Sequence, residues 1–479
     1  MMRILIYMKK WIGIVLLLAC NNMFAQVREV AVEEFATGFS KITPINGNQL
    51  LLVRETGQHE NHKLELTLLD KNLKEIAKTI LDPVHGRLDG VFIAKETNNI
   101  FVVYDVFASG LPLGSDRLTV LNSKLEITHT CHFDLPNPNY SVLEVSDLMG
   151  ESVFVYGLYM KSSEYFVIEL NVTTGKSHYF HDMKQVNYDL SFESFAADNR
   201  AFFVYNQERG PADSTFLRVY EKDSRFGQNS KVSPCTDCKL WGKPSFYRIK
   251  KDEYCMFGYF SYEKGPGQPE IRGMYVMKIE KDRVIKTIEV PLKSFDLENR
   301  HNAALVGLPK GAEQKRRELD SLRQMQKSRS GGVVIQDAAM WKEGKQFFLA
   351  AELRNSFDPE GAILIAFDED LEIKSHTVLP VMGQSRFVNL NIVNPSHGHD
   401  KSVFYYSYMI SNILSVTLVD SNNKSHAYGL TIPDKRMQGA TSLYWYDNYF
   451  IVHYDLSRYN TTNEDGIYYV IRKYEIKSK

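Results

Sequence analysis

Cysteine is scarce in this chain. The 479 residues hold five, and one of them, Cys20, lies in a leader segment. The other four, Cys131, Cys235, Cys238 and Cys255, are too few to staple a chain of this size, so a hydrophobic core must hold the fold. Long apolar runs are scarce too. Only "WIGIVLLLA", Trp11 to Ala19, is uniformly apolar, and it is shorter than the ~20 residues a bilayer crossing needs. There is no charge excess: the formal net charge is −1, which gives no electrostatic footprint for nucleic acid. No Gly-x-Ser-x-Gly elbow, phosphate loop or dinucleotide fingerprint occurs in its proper context. These absences do not signal disorder, because 44% hydrophobic and 24% charged residues make a folding composition.

The first 25 residues form an export leader. Arg3, Lys9 and Lys10 precede the apolar run, and "MFAQ" supplies a small residue, Ala25, before a cut. A second reading competes. "LLAC", Leu17 to Cys20, has the form of a bacterial lipobox, with Cys20 lipidated as the mature N-terminus. Both readings predict an exported protein, periplasmic, secreted or on the cell surface of a Gram-negative-type bacterium. The only membrane association they allow for the mature chain is a lipid anchor. Cleavage after Ala25 leaves 57 − 3 = 54 basic against 58 acidic residues.

What the chain has in quantity is repetition. "LLDKNLKEI" (68–76) returns as "TVLNSKLEI" (119–127) and "IAFDEDLEI" (365–373), with looser relatives elsewhere. Asp70 and Asn72 in the first copy are turn chemistry and not a catalytic pair. Upstream of each copy lies a β-hairpin pattern, such as "TSLYWYDNYFIVHYDL". Eight such hairpins start near residues 39, 89, 140, 188, 243, 333, 386 and 440. Each repeat therefore reads as four antiparallel strands in about 50 residues, which resembles the blade of a β-propeller. The resemblance covers nearly all of residues 27–479. It names no family, because a repeated Trp-Asp pair, a kelch double glycine and the sialidase Asp-box are all missing.

The resemblance implies an all-β, single propeller domain of eight blades, or seven if one unit is misread. The eighth unit lacks a fourth strand. "VREVAVEEF" (27–35) fits that place and is expected to close the ring. One interval runs long by an insertion at 293–332, where "GAEQKRRELDSLRQMQKSRSGG" reads as a charged helix with a narrow Leu319, Leu322, Met325 stripe.

In a propeller, the loops between second and third strands share a face with the inter-blade links, and binding residues concentrate on such loops. Here those loops are long and charged. The first carries Arg54, Glu55, His59 and His62, and the next ends at Asp116. Later ones carry Glu208, Arg209 and Asp213, then Glu263, Lys264 and Arg272. The last two carry Arg354 with Asp358, and Arg458 with Asp465. These residues form the expected ligand-binding face.

"CTDC" (235–238) reads as a small loop disulfide between Cys235 and Cys238. Zinc would need two further ligands, and haem attachment would need histidine where Lys239 stands. Cys131 and Cys255 read as buried thiols. His129/His132 and His178/His181 lie on strands at i, i+3, which face opposite ways. His397, His399 and Asp400 could share a side but read as a polar hairpin turn away from the loop-rich face, so no metal and no cofactor are implied. The chain thus reads as a non-enzymatic binding or scaffold module for a protein or glycan. The alternative is a glycan- or peptide-processing enzyme with loop carboxylates at the channel mouth. The sequence sets no oligomeric state.

Overall fold

The structure is a computed structural model. It describes the strands between Val27 and Ile476 and most of their short turns. Residues 1–26, 181–193, 292–332, 390–401, 457–468 and shorter connecting stretches lie outside the described residues. The expected leader and the expected helix at 293–332 therefore lie there.

The described residues form eight four-stranded antiparallel sheets. Sheets one to seven span 41–81, 86–134, 140–179, 194–232, 238–291, 333–380 and 388–431. In each, the four strands pair in chain order. The eighth sheet takes three strands from 437–476 and its fourth from the N-terminus, Val27–Phe35. That strand runs antiparallel to Tyr469–Ile476, from Val27 beside Ile476 to Phe35 beside Tyr469. Consecutive four-stranded meanders of this kind are β-propeller blades, and the fold is all-β as expected.

The chain divides into two compact units. One holds residues 1–38 and 383–479, and the other runs from Phe39 to Met382. The larger unit contains sheets one to six. The smaller contains sheets seven and eight.

Position within the sheet explains the hydrophobic pattern. The second strand of sheet one, Gln49–Thr56, has Leu50, Leu51, Leu52 and Val53 all buried. It is covered on both faces, so its apolar run is continuous and not alternating. The fourth strand, Glu75–Leu81, lies at an edge and alternates. The core lies between successive sheets. One cluster joins Leu51, Val53 and Leu66 of sheet one to Val91, Val102 and Tyr104 of sheet two. Others join sheets two and three and sheets four and five.

The repeated phrase is the turn from third to fourth strand. In the first copy, Asp70 Oδ1 accepts from the amides of Asn72 (2.7 Å) and Lys74 (2.9 Å). Asn122 Oδ1 does the same for Lys124 and Glu126, and Asp368 Oδ1 for Asp370 and Glu372. All three turns force a leucine into the left-handed region: Leu73 at φ 63°, Leu125 at 63° and Leu371 at 60°. Each of these leucines is buried. The side chain plugs the core while the Asx side chain holds the backbone.

Candidate functional site

The strand ends that carry the connections between second and third strands form the candidate surface. In the larger unit these connections span residues 57–62, 107–114, 160–163, 208–213 and 263–270. The sixth differs from expectation. Arg354 and Asp358 belong to paired strands, with Arg354 beside Pro359 and Asn355 beside Asp358, leaving only 356–357 between them. Arg272 likewise belongs to the strand Ile271–Glu280. His59, His62, Glu208, Arg209, Asp213, Glu263, Lys264, Arg458 and Asp465 lie outside the described residues.

Three expected residues are placed in detail. Arg54 is paired with Glu65 at 3.2 Å and lies over the ring of Phe39. Glu55 is exposed beside it. Asp116 is not a loop residue: it sits on a third strand and is fully buried, where it accepts a hydrogen bond from the hydroxyl of Tyr140 on the next sheet. Carried through the ladders, its position holds Leu64, Tyr165, Thr215, Met274 or Ala362 in sheets one and three to six, none of them ionised near neutrality. A carboxylate there departs from an otherwise mostly apolar place. It ties two sheets together through that hydrogen bond to Oδ1.

On the opposite side of the same strand, Arg117 lies over the ring of Tyr104 at 4.9 Å. Burial pushes the Tyr104 hydroxyl up to about 12, against the pull of Arg117. That hydroxyl is buried with no hydrogen-bond partner.

In the smaller unit, the strand Tyr449–Leu456 brings His453 to the same strand end. Its Nδ1 lies 2.7 Å from the Tyr469 hydroxyl. Burial alone pushes the imidazole down to about 4, so the ring is neutral at ordinary pH. Asp455 lies opposite Tyr469 in the ladder. Neither His453 nor Tyr469 was legible as a site residue, nor was Tyr104 or Tyr140. The signal that finds His453 and Asp116 is register: a polar side chain where most sister sheets are apolar.

The cysteines divide as their surroundings dictate. Cys131 and Cys255 are free and buried, and burial raises their thiols to about 11 and about 12. Unreactive thiols of this kind are packing groups. Cys238 is disulfide-bonded, and its partner lies outside the described residues. Among the described residues no group of three or more His, Cys, Asp or Glu is placed to hold a metal ion. No helix among them is long and apolar enough to cross a membrane.

No protein-family profile matches the chain, and no curated protein does either. Solved structures do. The WD40 domain of SCAP from fission yeast is 10% identical, with 94% of this chain and 95% of that one covered at a TM-score of 0.46. Oligopeptidase B from Leishmania major is 9% identical, covering 91% of this chain and 55% of that one at 0.45. A prolyl endopeptidase is 11% identical, covering 89% and 56% at 0.42. The chain thus spans about half the length of the two peptidases. Its own eight four-stranded sheets make it a β-propeller protein.

Proposed function

We propose that this chain is an exported, non-enzymatic recognition module that binds a protein or glycan through the loop-bearing ends of its blades. The observation that supports this reading is the contrast between rigid strands and the connections they carry. Second strands such as Gln49–Thr56 and Glu253–Tyr262 are held on both sides by paired neighbours. They carry charged connections at 57–62, 208–213 and 263–270. Third-to-fourth turns spend their polar groups on their own backbone. Loops on a fixed frame are where binding residues concentrate.

The leader supports export, and the disulfide at Cys238 fits an oxidising compartment. Cys235 is its proposed partner.

The test is a binding screen of the mature chain against immobilised envelope glycans and purified envelope proteins. A variant with alanine at Glu208, Arg209, Asp213, Glu263 and Lys264 serves as control. Saturable binding that the variant loses by about tenfold or more supports the reading. Turnover of a glycan or peptide that disappears on replacing a loop carboxylate assigns the enzymatic alternative instead.

A further inference from the structure

We propose that His453, Tyr469 and Asp455 form a subsite for a neutral, hydroxyl-rich ligand, a saccharide, at the loop-bearing end of the eighth sheet. The proposal rests on the recognition reading above and narrows it from protein or glycan to glycan.

The first observation is register. The residue two places beyond His453, Asp455, pairs with Tyr469. The same relation picks out Val53, Val103, Tyr156, Val204, Phe257 and Ala350 in sheets one to six and Ser407 in sheet seven. None of these ionises near neutrality, and five are wholly apolar. A histidine at this place does not serve the core. Burying it costs free energy that valine avoids.

The second is hydrogen bonding. Tyr469 engages only Nδ1 of the ring, and the two rings stack at 6.1 Å and 27°. That contact fixes the ring plane. Among the described residues the ring makes no second hydrogen bond, and Nε2 is not a buried orphan atom, which leaves it for a ligand. With Nδ1 engaged by Tyr469, a neutral imidazole leaves Nε2 one role, donor or acceptor by tautomer, and a hydroxyl can match either.

The third is the surroundings. Asp455 is exposed, and the backbone at Gly38 lies beside it. A Cβ on Gly38 would stand 3.2 Å from Asp455 Oδ1 and 3.5 Å from the Tyr469 ring, so glycine keeps that space clear. Among the described residues, the titratable groups sharing this face of the sheet with His453 are Asp455, Tyr469, Tyr449, Lys473, Glu475, Glu33 and Arg28. Lys473 is occupied by the rings of Trp445 and Tyr449. The charge paired with Tyr469 in the ladder is the exposed Asp455 carboxylate, which repels anions and accepts from hydroxyls.

The test is isothermal titration of the mature chain with neutral oligosaccharides: maltoheptaose, cellohexaose, laminarihexaose and xylohexaose. A lysine octapeptide is the cationic control. His453→Val installs the residue that sheets one, two and four already carry, so it folds. We expect one oligosaccharide to bind, His453→Val to weaken it by about tenfold or more, and Tyr469→Phe to weaken it less. Affinity should be flat between about pH 5.5 and about pH 8, because the imidazole stays neutral throughout. Three results overturn the proposal: no oligosaccharide binds, His453→Val binds as well as the native chain, or only the lysine peptide binds. If His453→Val is silent while the alanine variant of the 208–213 and 263–270 loops loses binding, recognition stands and this subsite falls.

Discussion

At the residue scale the polar groups in the core are informative because the repeat supplies its own controls. His453 has an ordinary value near 6.5 in an unfolded chain and about 4 in the folded one. Between those values the unfolded chain binds the extra proton and the native chain does not. Stability therefore rises with pH through that window and is lost as pH falls from about 6.5 to about 4. Urea unfolding of the native chain and of His453→Val at pH 7 and near pH 4.5 should show an acid-dependent loss about 2 kcal/mol smaller in the variant. Equal losses would remove His453 as the cause. The left-handed leucines make a second prediction. At Leu125 the φ of 63° penalises every side chain with a Cβ, while the buried side chain stabilises the core. Leu125→Gly and Leu125→Ala both lose that packing, but glycine escapes the backbone strain. Glycine should be the milder change by about 1 kcal/mol, the reverse of the usual order in regular structure. Thermal melts of the two variants decide it. The turn residues were legible because Asx chemistry is local. The Asp116–Tyr140 pair was not, because the hydroxyl comes from a different sheet, 24 residues on.

At the element scale the strand Val27–Phe35 was legible because its pattern resembles the fourth strands, such as "IKTIEVPL", and the last repeat lacked one. Glu29 receives a hydrogen bond from Arg472 at 2.8 Å, and Val27 and Val32 pack on the core of sheets seven and eight. Deleting Val27–Phe35 strips those contacts and exposes Tyr469–Ile476 as an unpaired edge. The melting temperature should drop by on the order of 5 °C or more, and a synthetic peptide of the nine residues should restore part of it. An unchanged melting temperature would mean that the strand contributes no stability. The connection at 354–361 was not legible. Its proline and glycine read as a loop, yet Pro359 and Gly361 sit in a ladder whose register shifts between Leu353 and Arg354. A bulge there accommodates the extra residue, and proline is tolerated where ladder pairing is already broken.

At the scale of the molecule, successive sheets are tied by contacts between residues about 50 apart. Thr79 Oγ1 donates to the Leu125 carbonyl, 46 residues on. The Asp223 amide donates to Glu169, 54 residues back. Lys286 Nζ reaches the Asp370 carbonyl and Glu372 across the long interval. Such a chain is stabilised mainly between neighbours. Among the described residues a dense tie joins sheets four and five. Asp198 accepts from Arg248, from the Asp252 amide at 2.9 Å and from the Tyr254 hydroxyl at 2.7 Å, while Arg200 pairs with Asp252. Burial raises the Asp198 carboxyl, but those donors outweigh it and hold it below the ordinary carboxylate range. A depressed carboxyl keeps its contribution above the unfolded value and loses it only as pH falls through the folded one, so this tie should persist to below about pH 4. Asp198→Asn removes the charge facing Arg248 and should cost about 2 kcal/mol, since the arginine is partly solvated. Hydrogen exchange locates the loss. Amides of Arg200–Gln207 and Glu253–Tyr262 should exchange faster, while those of Gln49–Thr56, three sheets away along the chain, keep their protection. A uniform loss across all three strands would instead mean that the larger unit unfolds as one cooperative body, and that the ties between neighbouring sheets do not set its stability.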